Sequence, residues 1–347
     1  MLAPALDVAI RGAGPVGCTL ALALRSAGLR VALADPALPA TGLRPIALSY
    51  ASRLILERVG VWQALVVTPI ERILVSQAGS FGRTRLDAAD AGVPALGYVT
   101  EYSALVEHLR APLGVVRELP PARCIVHAEG APQDEGKRYA QDAVVARLDV
   151  QPPARATAYE RFTAEGPLAL LPLKGSFALI WSMRPERARR LAAAAEADFI
   201  RELRSAAGNA LGDVTRVHQR TVQPLALKVR GTRVSGNEVY IGNAAQTLHP
   251  VAGQGLNLGL RDAWHLARSL TRAPEADIPA LLARFAAQRR LDAAATIRMT
   301  DFLAAGFAGN SSILRAARGA ALTALDLFPA PRRFFARRMI FGASALP

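Results

Sequence analysis

The sequence predicts an α/β fold in which a Rossmann-like nucleotide-binding domain is assembled from separate stretches of chain around an inserted mixed β-sheet, with a helical C-terminus. Three observations predict it. A strand, a glycine-rich turn and a helix open the chain. A second strand runs into a glycine-rich helix start far downstream, over 239–262. Between them, apolar and polar residues alternate with the period of strands.

The first unit begins at Asp7-Val-Ala-Ile-Arg, a short apolar strand. Gly12-Ala-Gly14-Pro15-Val-Gly17 follows, then a helical pattern through Leu20, Ala23 and Leu24 that Gly28 ends. Leu29-Arg-Val-Ala-Leu-Ala supplies a second strand and closes on Asp35. This is the dinucleotide-binding βαβ arrangement: Gly12 for the turn, Gly14 for approach to a pyrophosphate, Gly17 for helix–strand packing, and a carboxylate at Asp35 for a ribose hydroxyl. A bare glycine triplet is weak evidence, but strand, helix and terminal acid together specify a nucleotide.

Downstream, Val239-Tyr240-Ile241 reads as a buried strand and leads into Gly242-Asn243. Gly253, Gly255 and Gly259 sit where a helix through Leu256, Leu260, Ala263, Leu266 and Leu270 begins. Glycine inside a helix costs about 1 kcal/mol against alanine, so the cluster predicts a backbone that a ligand approaches closely, with N–H groups aimed at electron-rich atoms. Pro250 stiffens the approach, and Gln254 and Asn257 offer side-chain amides.

The remaining elements are read in order. A helix carries Leu54, Leu56 and Val59; short strands fill 69–99; 101–110 is a helix. Alternation marks strands at 143–150, 158–163, 168–173 and 178–183, a helix spans 187–206, a strand returns at 217–229, and helices dominate after Gln254. The expected division is 1–68, 100–135 and 236–310 for the discontinuous nucleotide domain, 69–99 and 136–235 for a substrate domain, and 311–347 for a C-terminal helical segment.

At 347 residues, 51% hydrophobic and 20% charged, the chain has a large core and is not disordered. No apolar run reaches the roughly 18 residues of a membrane span, and the first strand starts too near Met1 for a signal peptide, so a cytoplasmic place is expected. Cys18 and Cys124 suggest no disulfide framework, and Cys18 reads as a small packing residue. The five histidines have no ligand spacing, which sets metal chemistry aside, and no nucleophile elbow is present. A net charge of +14 without any nucleic-acid signature points to an anionic membrane face or an acidic partner protein rather than nucleic acid. Arg332, Arg333, Arg337 and Arg338 interleave with Phe328, Phe334, Phe335 and Phe341, which fits an interfacial helix and equally a terminal helix docking its aromatics on the core.

The run His249-Pro250-Val-Ala252-Gly253-Gln254-Gly255-Leu256-Asn257-Leu-Gly259-Leu-Arg-Asp262 carries a resemblance. It matches at every fixed position the second flavin motif, His-Pro-x-Ala-Gly-Gln-Gly-x-Asn-x-Gly-x-x-Asp, of the FAD-dependent aromatic hydroxylases, class A flavoprotein monooxygenases, in the ubiquinone-biosynthesis UbiH/VisC-type branch. Arg44-Pro-Ile-Ala-Leu-Ser49 resembles that family's Arg-x-x-Ala-Leu-Ser loop, and Tyr159–Leu173 resembles its substrate-domain sheet. The resemblance implies a para-hydroxybenzoate-hydroxylase type fold with bound FAD, NADH or NADPH as co-substrate, and O2 used to hydroxylate an aromatic ring, a polyprenylated phenol above all. It implies cofactor contacts at Gly12, Gly14, Pro15, Gly17, Asp35, Arg44, Gly242, Asn243, Pro250, Gly253, Gln254, Gly255, Leu256 and Asn257. No residue is certain to be catalytic; His249 is read as shaping the flavin edge, with a general base as the lesser reading.

The chain departs from the family in three places. Asp35 stands where Glu is common, and Asn243 where many relatives outside the branch have Asp. The stretch 111–142 is short, and its Glu129-Gly130 reads equally as the counterpart of a third, Asp-Gly motif or as a plain turn. That shortening keeps open a second reading, an accessory member of the same biosynthetic complex, with or without flavin; a third is a hydroxylase of a soluble aromatic on the same fold, which would not associate with anionic vesicles.

Overall fold

Apolar runs bounded by glycine become strands. A computed structural model describes residues 6–35, 44–133, 136–249, 253–273, 276–306 and 312–342. β1 (Leu6–Arg11), α1 (Pro15–Ser26) and β2 (Val31–Ala34) open the chain, α1 starting on a proline whose fixed φ suits the first helical turn. β3 (Pro45–Ser49), α2 (Tyr50–Arg58), β4 (Thr68–Ile70), β5 (Arg72–Gln77), β6 (Arg83–Asp87), α3 (Ala88–Ala91), β7 (Gly97–Glu101) and α4 (Tyr102–Arg110) follow, then β8 (Val115–Val116) and β9 (Ala122–His127). The middle is mostly strand: β10 (Lys137–Gln151), β11 (Thr157–Phe162), β12 (Pro167–Leu173), β13 (Ser176–Met183), α5 (Pro185–Ala193), α6 (Glu196–Ala207) and β14 (Asp213–Val229). β15 (Val234–Ser235), β16 (Glu238–Tyr240) and β17 (Gln246–Thr247) lead to α7 (Gln254–Arg272), α8 (Ile278–Gly306), α9 (Ser312–Leu327) and α10 (Pro329–Phe341).

The six-stranded sheet runs β15-β16-β9-β1-β2-β8 and is parallel except at β15. Val8 and Ile10 of β1 share a core with Leu20 and Leu24 of α1, Leu260 and Leu266 of α7, and Phe285 of α8. Both glycine-rich helix starts thereby belong to one body, although they lie at opposite ends of the sequence. β8 and β9 are joined by residues 117–121 alone.

The eight-stranded sheet runs β17-β14-β10-β13-β12-β11-β5-β6. Val144, Leu148, Leu179 and Trp181 pack one face on Leu191 of α5 and on Phe199 and Leu203 of α6. The other face meets the three-stranded sheet β3-β7-β4, where Ile70 and Val99 pack on Ala158, Leu173 and Ala178. The helix expected over 187–206 is two helices. Ala194 and Ala195 are extended, and Arg220 Nη1 donates to the Ala194 carbonyl at 2.5 Å, a tertiary contact that holds the break.

Candidate active site

The glycines of the two helix starts divide by what a methyl group would meet. At Gly17 a Cβ would lie 1.9 Å from the Gly12 carbonyl oxygen, and at Gly12, with φ +104°, 2.6 Å from Glu129 Cβ. At Gly259 it would lie 2.7 Å from Val16 Cγ2, and at Gly242 3.1 Å from the same atom. These four are glycine because α1, α7 and the sheet edge press together. Gly259, grouped in the sequence with the ligand-approach glycines, is therefore a packing residue, and Gly242 presses on α1.

Gly14 and Gly255 differ. A Cβ at Gly14 would meet only the Tyr102 hydroxyl, at 3.5 Å, and one at Gly255 only Leu248 Cβ, at 3.9 Å. Among the described residues nothing forbids a side chain there. Both belong to uncapped helix starts. Gly14 is the N-cap of α1 and Gly253 that of α7; neither end has a side-chain cap or a first-turn acid. The first bond of α1 runs from Cys18 N to Gly14 O, so the N–H groups of Val16 and Gly17 have no partner within the helix. Two uncapped ends with room at their glycines fit a dinucleotide carrying a pyrophosphate.

The other candidate residues fall into place around these ends. Asp35 is ion-paired with Arg110, whose Nε also donates to the Ala13 carbonyl at 2.7 Å. Arg44 is exposed, with its guanidinium 4.3 Å over the Tyr102 ring, and its carbonyl accepts from Tyr102 N at 2.9 Å. Asn243 is exposed, Leu256 is half-buried against the core, and Pro250 and Ala252 lie outside the described residues. Gln254 is buried and its Nε2 donates to the Met339 carbonyl at 3.3 Å.

Asn257 corrects its sequence reading. Its Oδ1 accepts from Ser49 N at 2.8 Å and Ser52 Oγ at 2.7 Å, while Nδ2 donates to Ala47 O at 3.0 Å and Gly253 O at 2.7 Å. Four bonds saturate a side-chain amide. The amide that looked available to a ligand instead ties the start of α7 to β3 and α2. His249 is buried, stands edge-on to Tyr139 at 5.0 Å, and burial pulls its pKa down to about 4, so it is a neutral imidazole near neutral pH. Tyr139 in turn donates to Asp301 at 2.8 Å.

Four residues escaped the sequence reading. Tyr102 and Arg110 come from α4, which carries no motif; only the fold brings them against Gly14 and Asp35. Arg289 and Asp292 of α8 are buried with Asp262, the last residue of the second motif. Arg289 Nε meets Asp262 Oδ1 at 2.8 Å, Arg289 Nη2 meets Asp292 at 2.6 Å, and Arg261 Nε meets Asp292 at 2.9 Å. This network bolts α7 to α8. Glu129, two residues past β9, lies beside the Gly12 turn, next to the end of the strand that pairs with β1.

A family model described as the FAD binding domain matches residues 128–300. The chain is 31% identical over 380 aligned positions to ubiquinone hydroxylase UbiL of Rhodospirillum rubrum, covering 95% of this chain and 88% of that protein. The chain belongs to the FAD-dependent aromatic hydroxylases. The hydroxylase is also 29% identical to 3-demethoxyubiquinol 3-hydroxylase of Escherichia coli, over 92% of this chain and 94% of the relative. Among solved structures, p-nitrophenol 4-monooxygenase PnpA of Pseudomonas putida shares the fold with a TM-score of 0.74 at 18% identity, covering 98% of this chain and 99% of that one. The protein is thus an FAD-dependent monooxygenase that draws on NADH or NADPH, and the accessory-protein reading is not favoured. The 380 aligned positions exceed the 347 residues of the hydroxylase, so its relative carries segments that it lacks.

Proposed function

We propose that this hydroxylase holds FAD across the starts of α1 and α7 and hydroxylates a polyprenylated phenol of ubiquinone biosynthesis. The carrying observation is that Gly14 and Gly255 lie at two helix ends without side-chain caps, where the described residues leave room for a Cβ. In this reading the pyrophosphate takes the N–H groups of Val16 and Gly17, and Asp35, steadied by Arg110, takes the ribose. Asn243 and the backbone N–H groups of Gln254, Gly255 and Leu256 line the rest of the cofactor, with Arg44 on Tyr102 beside it. Bound FAD, reduced by NADH or NADPH, supplies the activation of O2 that ring hydroxylation needs. The chain's own work is to hold that group and keep water away, for which the neutral His249 and the packed α10 are suited.

In this reading 1–68, 100–135 and 236–310 form the cofactor part, 69–99 and 136–235 the substrate part, and 311–347 a C-terminal helical segment. The names of the relatives support the phenol class. The test is product analysis with NAD(P)H, O2 and either a 2-prenylphenol or a soluble aromatic such as p-nitrophenol. Ring hydroxylation of the prenylphenol alone is expected; turnover of the soluble aromatic alone overturns the substrate assignment.

A peripheral site on an anionic membrane fits the outer face of the C-terminal helices. Phe334 is 74% exposed, Leu327 69% and Phe328 59%, beside exposed Arg333 and Arg337, while Ala336, Ile340 and Phe341 pack inward. No helix among the described residues is long and apolar enough to cross a membrane. Each apolar side chain buried in lipid contributes about 1.5–3 kcal/mol, and each arginine about 1 kcal/mol near anionic lipid. The Phe328→Ser/Phe334→Ser chain should therefore bind phosphatidylglycerol vesicles at least about tenfold more weakly; unchanged binding places the contact elsewhere.

A further inference from the structure

We propose that Glu160 is the polar anchor of the aromatic substrate, hydrogen-bonding its phenol hydroxyl from the middle of the eight-stranded sheet. The inference rests on the phenol reading above and deepens it. On β11 the neighbours Tyr159 and Arg161 point to the helix-covered face: Tyr159 packs with Phe177 in that core, and Arg161 Nε donates to the Ala206 carbonyl at 2.9 Å. Alternation along a strand turns Glu160 to the opposite face.

That face looks toward the start of α7, step by step. A Cβ at Gly253 would lie 3.4 Å from Ala47 Cβ. Ala47 is opposite Val99 in the β3–β7 pair, so the two share a face. Val99 packs on Ala158 and Ala178. Ala158 is two residues before Glu160 on the same side of β11, about 7 Å along the strand.

The surroundings of Glu160 are those of a small-molecule pocket. Across the strands its register partners are Val75 on β5 and Ala169 on β12, and Ile180 of β13 is opposite Ala169. Glu160, Val75, Ala169 and Ile180 each keep part of their surface accessible, though they lie inside the sheet. Apolar walls, a small residue directly opposite and one polar group are what a buried ring with one hydroxyl needs. No hydrogen bond or ion pair to the Glu160 carboxyl is formed among the described residues, and burial pushes its pKa up to about 8. A carboxyl without a charged partner is costly in such a place, and a purely structural position would hold an apolar residue. Protonated at neutral pH, the group both donates and accepts a hydrogen bond, which matches a phenol hydroxyl.

The test uses the FAD-loaded enzyme, titrated with 2-farnesylphenol and with farnesylbenzene, which lacks the hydroxyl, and reads the flavin fluorescence. The wild type is expected to prefer the phenol by about tenfold or more. Glu160→Leu should bring that preference within about threefold, leaving FAD content and the farnesylbenzene affinity unchanged, whereas Glu160→Gln should keep most of it. A leucine variant that still prefers the phenol tenfold overturns the proposal. A wild type that binds neither compound sinks the prenylphenol reading and the anchor together, so the two failures are distinct. Should the leucine chain lose its FAD, Ala169→Leu takes its place: it leaves the carboxyl and fills the space opposite. It should weaken the phenol about tenfold, and unchanged affinity there refutes the anchor.

Discussion

Replacing Gly14 and Gly17 by alanine, one at a time, separates a glycine kept for a ligand from one kept for packing. At Gly17 the added methyl would stand 1.9 Å from the Gly12 carbonyl oxygen, a backbone atom that cannot yield without moving the turn. Overpacking of this kind costs about 1–3 kcal/mol and more where backbone must shift, so the flavin-free Gly17→Ala chain should lose at least about 3 kcal/mol. At Gly14 the methyl meets only the Tyr102 hydroxyl, at 3.5 Å, and the backbone is extended at φ −75°, ψ −179°, which alanine adopts freely. The flavin-free Gly14→Ala chain should thus stay within about 1 kcal/mol of wild type, the loss of an N-cap glycine offsetting the gain in chain stiffness. Its affinity for FAD is another matter. In the proposed pose of the cofactor the methyl stands in the approach to the Val16 and Gly17 N–H groups, and a forced shift of about 1–3 kcal/mol weakens binding roughly tenfold to a hundredfold. Urea unfolding of both apo chains and fluorescence titration with FAD give the two numbers. A Gly14→Ala chain that binds FAD as wild type does, or unfolds as readily as Gly17→Ala, refutes the division.

Three further outcomes follow from buried charge. His249, held near 4 in the folded chain against an ordinary 6.5, makes the protein lose about 3 kcal/mol as pH falls through that window, because the unfolded chain binds the proton first; His249→Gln should remove that acid loss from a melting-temperature profile, and an unchanged profile contradicts the assignment. Glu160 has the opposite sign: raised from 4.5 to about 8, it makes stability fall as pH rises between those values, so Glu160→Leu should melt higher than wild type at pH 8 and no higher at pH 4. Arg289→Met leaves Asp262 and Asp292 buried without their shared partner and should cost about 3–5 kcal/mol in urea unfolding, while Arg289→Met/Asp262→Leu should recover much of it.

Much of the fold could be read in the chain because its signals are local. Gly12 to Gly17 lie within one turn, and the strands of the large sheet announce themselves by alternation. What stayed hidden depends on contacts between distant elements. Gly259 and Gly255 look alike in sequence, yet one packs on Val16 and the other faces space. Asn257 looked like a free amide until Ala47, Ser49 and Ser52 arrived to saturate it. Tyr102 and Arg110 sit on an ordinary amphipathic helix whose importance comes from where α4 lands. The C-terminal phenylalanines carried two readings because arginine and phenylalanine mix on every side of that helix; packing sorts Phe335 and Phe341 inward and Phe328 and Phe334 outward.

The most direct measurement is an absorbance spectrum of the purified chain, taken before and after anaerobic addition of NAD(P)H. A bound-flavin spectrum that bleaches on addition, and that returns when air and a prenylphenol are admitted, is the predicted result. A colourless chain that cannot be loaded with FAD contradicts the account at its centre.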